Sequence, residues 1–89
     1  MSKEHMAPIL LNKEGVKIFI HSRDHLPPHI HVQYADDEAI VSIRTGEILK
    51  GYLPSRKLLV VQTWLNEGDV KWRVEEIFFE LNPHLKLSK

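Results

Sequence analysis

Apolar and polar positions alternate with a period close to two through Val16-Lys17-Ile18-Phe19-Ile20-His21, and the β-branched content of that run predicts a strand. His29 to Ala35 and Glu38 to Arg44 alternate in the same way, with Asp36-Asp37 expected as the two-residue turn between them. Thr45-Gly46 predicts the next turn, because glycine takes a positive φ without steric cost, and it leads into a weaker fourth strand over Glu47 to Tyr52. The period then changes. Leu58, Val61 and Leu65 recur at helical spacing, widened by Leu59, Val60 and Trp64, after a start at Pro54 with Ser55 as N-cap. Gly68 reads as the stop, and Asp69 as the cap of a second helix carrying Val70, Val74, Ile77, Phe78 and Leu81. Asn82-Pro83 ends it, and the tail from His84 is too short to assign. The expectation is a single α+β domain: a four-stranded antiparallel meander sheet followed by two helices packed on one face.

Strand register can be tested by asking whether both faces stay consistent. With Asp36-Asp37 as the turn, Ile30 faces Ile43, Val32 faces Val41 and Tyr34 faces Ala39, which makes one apolar face. The other face pairs His29 with Arg44, His31 with Ser42 and Gln33 with Ile40. Matching Ile20 to Ile30, Ile18 to Val32 and Val16 to Tyr34 places His21 opposite His29. One face is therefore expected to gather His21, His29, His31 and Arg44, with Asp24 and His25 in the loop above them. Pro27-Pro28 stiffens that loop by fixing φ, and the sequence leaves the cis or trans state of both bonds open.

Composition narrows the classes of function. Hydrophobic residues make up 43% and charged residues 27% of the 89, close to globular averages, so the chain is not expected to be disordered. Lys plus Arg equals Asp plus Glu at 12 each, which weakens any strong sequence-independent nucleic-acid binding. The chain has no cysteine, which removes disulfides, thiolate metal sites and cysteine nucleophiles, and fits a reducing compartment. No apolar run approaches the roughly 20 residues of a membrane span, so a cytoplasmic protein is expected. Residues 1–5 are polar and read as an extension or cloning remnant, with the domain proper over 6–89.

Three readings of the histidines stand side by side. In the first, His21, His29 and His31 with Arg44 form an acid–base set for phosphodiester cleavage, the arginine holding an RNA phosphate. In the second, His29, His31 and His21 ligate a divalent metal with Asp24 as a carboxylate, although Arg44 nearby would repel the ion. In the third, the histidines hydrogen-bond loop backbone and Arg44 pairs with Glu47. Elsewhere, Trp72 and Phe79 lie off the main stripe of the second helix, and Ile40 and Leu49 fall on the histidine face of the sheet. These four are candidate interface residues for a partner or a homodimer, or else cap the core edge.

Asp24-His25-Leu26-Pro27-Pro28-His29-Ile30-His31-Val32, Glu38-Ala39-Ile40-Val41-Ser42-Ile43, Thr45-Gly46-Glu47, Gly51-Tyr52-Leu53-Pro54 and Trp64-Leu65 together resemble the bacterial family catalogued as domain of unknown function 4160. Met6-Ala7-Pro8-Ile9 is similar to the family's opening, whereas the chain departs from the family pattern after Gly68, at Ile77-Phe78-Phe79-Glu80 and Leu85-Lys86-Leu87. The resemblance implies one half of a two-gene module, assigned to the toxin side of toxin–antitoxin systems, with the cognate protein encoded by the neighbouring gene. It implies no catalytic residues. The expected function is a toxin-side component acting through partner binding, with a histidine-based RNA or phosphate site as a secondary role and no cofactor. The competing expectation is a non-enzymatic interaction module, with or without a bound divalent metal, in which the histidines are structural.

Overall fold

Each strand of the protein pairs with the next one along the chain. The computed structural model describes residues 8–22 and 24–85. Its elements are β1 (Ile9–Lys13), β2 (Val16–Phe19), β3 (His29–Tyr34), β4 (Asp37–Ser42), β5 (Ile48–Gly51), α1 (Ser55–Leu65) and α2 (Val70–Leu81), then a short 3₁₀ turn over Pro83–Leu85. The sheet is an antiparallel meander in the order β1-β2-β3-β4-β5. The α+β expectation holds, but the sheet has five strands rather than four. The expected extension over residues 1–5 lies outside the described residues.

The strand missing from the sequence reading is β1. Ile9-Leu10-Leu11 is a run of apolar residues without alternation, and the pairing with β2 is irregular between Ile9 and Leu11, so the period of two is broken where it would be sought. The turn after it did carry a signal. Glu14 and Gly15 both take positive φ, 53° and 80°, the combination of a tight hairpin, and Gly15 stands immediately before the alternating run.

The β2–β3 register is the expected one, with Val16 opposite Tyr34, Ile18 opposite Val32 and Phe19 opposite His31. The β3–β4 register is displaced. Tyr34 pairs with Asp37, so the turn is Ala35-Asp36, and His29 lies opposite Ser42 instead of Arg44. Ile30 correspondingly meets Val41 and His31 meets Ile40. Moving a turn by one residue moves the register by two, which leaves every side chain on its expected face and so escapes a test based on faces.

The helices cover the face carrying Ile18, Ile30, Val32 and Val41, where Val61 and Leu65 of α1 and Val74 and Phe78 of α2 complete the core. Helix starts fall where the sequence placed them to within a residue. Pro54 is the N-cap of α1, ahead of Ser55, and neither Pro54 nor Asp69 makes a side-chain capping bond. Asp69 instead pairs with Arg73, one turn on, at 3.3 Å. Gly68 between the helices has φ 49°, the left-handed stop expected of it.

Candidate functional site

The loop between β2 and β3 brings its carboxylate back onto the strand it feeds. His29 and His31 share one face of β3, alternating with Ile30 and Val32, as their i, i+2 spacing requires. His31 sits in a row across that face between Phe19 on β2 and Ile40 on β4. Its ring stacks on Phe19 at a centroid distance of 5.7 Å. At the start of β3, His29 is 1% exposed and its ring lies 5.4 Å from that of Phe78 in α2.

Asp24 closes the group. Its Oδ2 lies 2.7 Å from His29 Nε2 and 3.0 Å from His31 Nε2, so one carboxylate oxygen faces two imidazole nitrogens. Its Oδ1 accepts the His25 amide at 3.0 Å. On the far side of His29, Nδ1 lies 2.7 Å from the Pro27 carbonyl. A carbonyl only accepts, so Nδ1 carries the hydrogen. A neutral ring then has no hydrogen left at Nε2, and its lone pair faces the lone pairs of Asp24. Such a contact is favourable only with a further proton or a cation between the two atoms.

Loop and strand are held by bonds from distant parts of the chain. The Ile43 amide donates to the Pro28 carbonyl at 3.1 Å, continuing the β3–β4 ladder into the loop. Asn82, fully buried at the end of α2, accepts the Asp24 amide on Oδ1 at 2.6 Å. Its Nδ2 donates to the carbonyls of His21 at 3.0 Å and Phe78 at 2.9 Å. In the sequence pattern Asn82 marks only the end of a helix. Nothing in the local pattern reveals a partner 58 residues away, although an asparagine directly after an amphipathic helix was a visible candidate for a buried cap. The Leu26–Pro27 peptide is cis.

The same environment sets the charge states. Burial would raise the Asp24 carboxyl, but the hydrogen bond from His31, the charge of His29 and the His25 amide outweigh it and hold the group below its ordinary value. Burial pushes the His31 imidazole down, helped by His21 and His29 and opposed by Asp24. An anionic carboxylate beside a neutral imidazole is the protonation state in which such groups donate lone pairs.

His21 is exposed and lies beyond the end of β2, not within the strand as expected, yet its ring is 4.1 Å from that of His31. His25 is exposed, with its ring 5.6 Å from that of His29. The structure therefore brings together His21, His29 and His31 with Asp24, the last placed by sequence only in the loop above. Arg44 is engaged elsewhere. It makes a two-pronged ion pair with Glu75 of α2, 2.8 Å at the closer contact, rather than pairing with Glu47 or facing His29. Hydrogen bonding and the charge of Glu75 hold its guanidinium above the ordinary value.

The four candidate interface residues fall on two surfaces. Ile40 is half-buried and Leu49 exposed on the sheet side, with Ile40 next to His31. Trp72, at 63% exposure, and half-buried Phe79 line a shallow groove of about 670 Å³ on α2, floored also by Leu26 and Leu85. Glu75, Glu76 and Glu80 rim it, with Arg44 as its one cation among the described residues. Leu26 belongs to the histidine loop, so the groove begins where the cluster ends.

Comparison with known proteins gives one match. A family model described as Domain of unknown function (DUF4160) matches residues 15–69, which spans β2 to the end of α1 and includes the whole Asp24–His31 group. No curated protein and no solved structure matches the chain.

Proposed function

The chain belongs to the DUF4160 family, and from that premise we propose that it is a protein-binding module, the toxin-side half of a two-gene pair, which recognises its cognate partner through the groove on α2. The observation that carries this reading is Trp72, an indole 63% exposed beside Leu26, Phe79 and Leu85 in a groove rimmed by carboxylates. Exposed aromatic residues flanked by charge are the usual energetic centres of protein interfaces. Overall charge is balanced, so the acidity is local. With Glu75 already matched by Arg44, Glu76 and Glu80 call for a partner segment with an apolar anchor flanked by Lys or Arg. Trp72 and Phe79 lie outside residues 15–69, which fits a partner particular to this chain.

The test joins growth and binding. Induction alone is expected to arrest growth, and co-expression of the neighbouring gene to restore it. Trp72→Ala is expected to leave the melting temperature unchanged and to weaken partner binding by about 10- to 100-fold, with raised salt weakening the wild-type complex. Unchanged affinity in Trp72→Ala removes the groove; normal growth under both conditions removes the toxin role. An acid–base role for the histidines on RNA has less support, because the cation it calls on is held by Glu75.

A further inference from the structure

We infer that Asp24, His29 and His31 bind one first-row divalent cation of the zinc type, through Asp24 Oδ2 and the two Nε2 atoms. This goes beyond the partner-binding reading and stands or falls separately from it. The three side chains each present one donor atom, and these lie within 4.8 Å of one another. Zinc takes nitrogen and oxygen at about 2.0–2.2 Å, so tetrahedral ligand atoms stand about 3.3–3.5 Å apart. For an ion to sit between the three atoms, the two Asp24 contacts, at 2.7 and 3.0 Å, open by about 0.3–0.8 Å, and any wider pair within the 4.8 Å group closes toward the same spacing.

The surroundings suit an ion as they suit a proton held between His29 and Asp24. The Pro27 carbonyl fixes the hydrogen of His29 on Nδ1 and leaves Nε2 as a lone pair aimed at the carboxylate, the outer hydrogen bond that metal-binding histidines normally make. The His25 amide occupies Asp24 Oδ1, so Oδ2, which faces both Nε2 atoms, is the oxygen placed to coordinate. Asn82 anchors the Asp24 backbone from α2, so the carboxylate is presented by a fixed loop. The objection that sequence raised was the charge of Arg44, and that charge is matched by Glu75. Two imidazoles to one carboxylate favour zinc, cobalt, nickel or iron(II) over magnesium and calcium, which prefer oxygen. Three protein ligands leave a fourth position open, and the ring of exposed His21 lies 4.1 Å from that of His31.

The experiment uses the whole chain stripped with chelator, then titrated with Co²⁺ followed by absorption and with Zn²⁺ followed by calorimetry. One equivalent per chain is expected, with visible bands of low-symmetry four- or five-coordinate Co²⁺ and a rise in melting temperature on Zn²⁺ addition. Asp24→Asn keeps the shape of the side chain and is expected to weaken Zn²⁺ binding at least 100-fold, as is His31→Gln on the half-buried side of the cluster. His29→Ala opens a space against Phe78, so Asp24→Asn and His31→Gln carry the test. His84→Ala, an exposed histidine on the 3₁₀ turn, is expected to bind as the unaltered chain does. The inference is overturned if the folded chain takes up neither ion saturably, or if uptake survives unchanged in both Asp24→Asn and His31→Gln.

Discussion

At the scale of single residues, the unusual feature is one carboxylate oxygen serving two imidazoles in a partly buried setting. Its pH signature in metal-free protein follows from two depressed groups. A histidine with a lowered folded value binds its proton more readily unfolded, so the unfolded state takes up protons and stability falls as pH drops. The His31 contribution is complete above its unfolded value of about 6.5 and is lost as pH falls through the folded value; the Asp24 contribution is complete above about 3.9 and is lost below it. With chelator present, the urea midpoint is expected to fall between about pH 7.5 and about pH 5.5, and to fall less in His31→Gln. Equal slopes in the two proteins would show that other groups carry the dependence. Asn82 is the second residue to probe. Asn82→Ala strands the Asp24 amide and the His21 carbonyl, at an expected cost of about 2–4 kcal/mol by chemical denaturation.

At the scale of elements, the turns decide what alternation leaves open. Ala35 sits at φ 53°, where its Cβ crowds the following carbonyl. Ala35→Gly relieves that crowding and is expected to raise stability by about 0.5–1 kcal/mol, read from the denaturation midpoint. Loss of stability there would mean that the turn does not hold this residue left-handed. Gly51 is the opposite case. It has φ 89°, and a Cβ on it would run into the Glu38 carbonyl, the same group that accepts the Tyr52 amide at 3.0 Å. Gly51→Ala is therefore expected to cost at least about 2 kcal/mol and to detach β5 first, visible as faster amide exchange in Ile48–Gly51.

At the scale of the whole molecule, the sheet and helices share one core, and Phe78 joins that core to the cluster by packing under His29. Phe78→Ala is expected to cost about 3–5 kcal/mol in stability and to loosen the cluster with it, seen as a broadened His29 resonance. Trp72→Ala, on the exposed side of the same helix, is expected to do neither. That pairing separates the two roles of α2: one side supports the histidine loop, and the other offers the groove.

The sequence by itself determined the periods, and with them the later four strands, both helices and the face each residue occupies. Membership of His29 and His31 in one group followed from parity, since a side chain's face depends on whether its position is odd or even along the strand; His21, beyond the end of β2, needed the β2–β3 register match as well. Tertiary structure decided what parity cannot encode. The β3–β4 register slid by two without changing a face, which took Arg44 away from its place opposite His29, and packing of α2 gave it Glu75. β1 has no alternation to read and exists because β2 offers it an edge. The group became a three-donor cluster only when the loop folded Asp24 back onto the strand and Asn82, 58 residues on, held it there. A local pattern fixes which way a side chain points; what it meets depends on chain brought in from elsewhere.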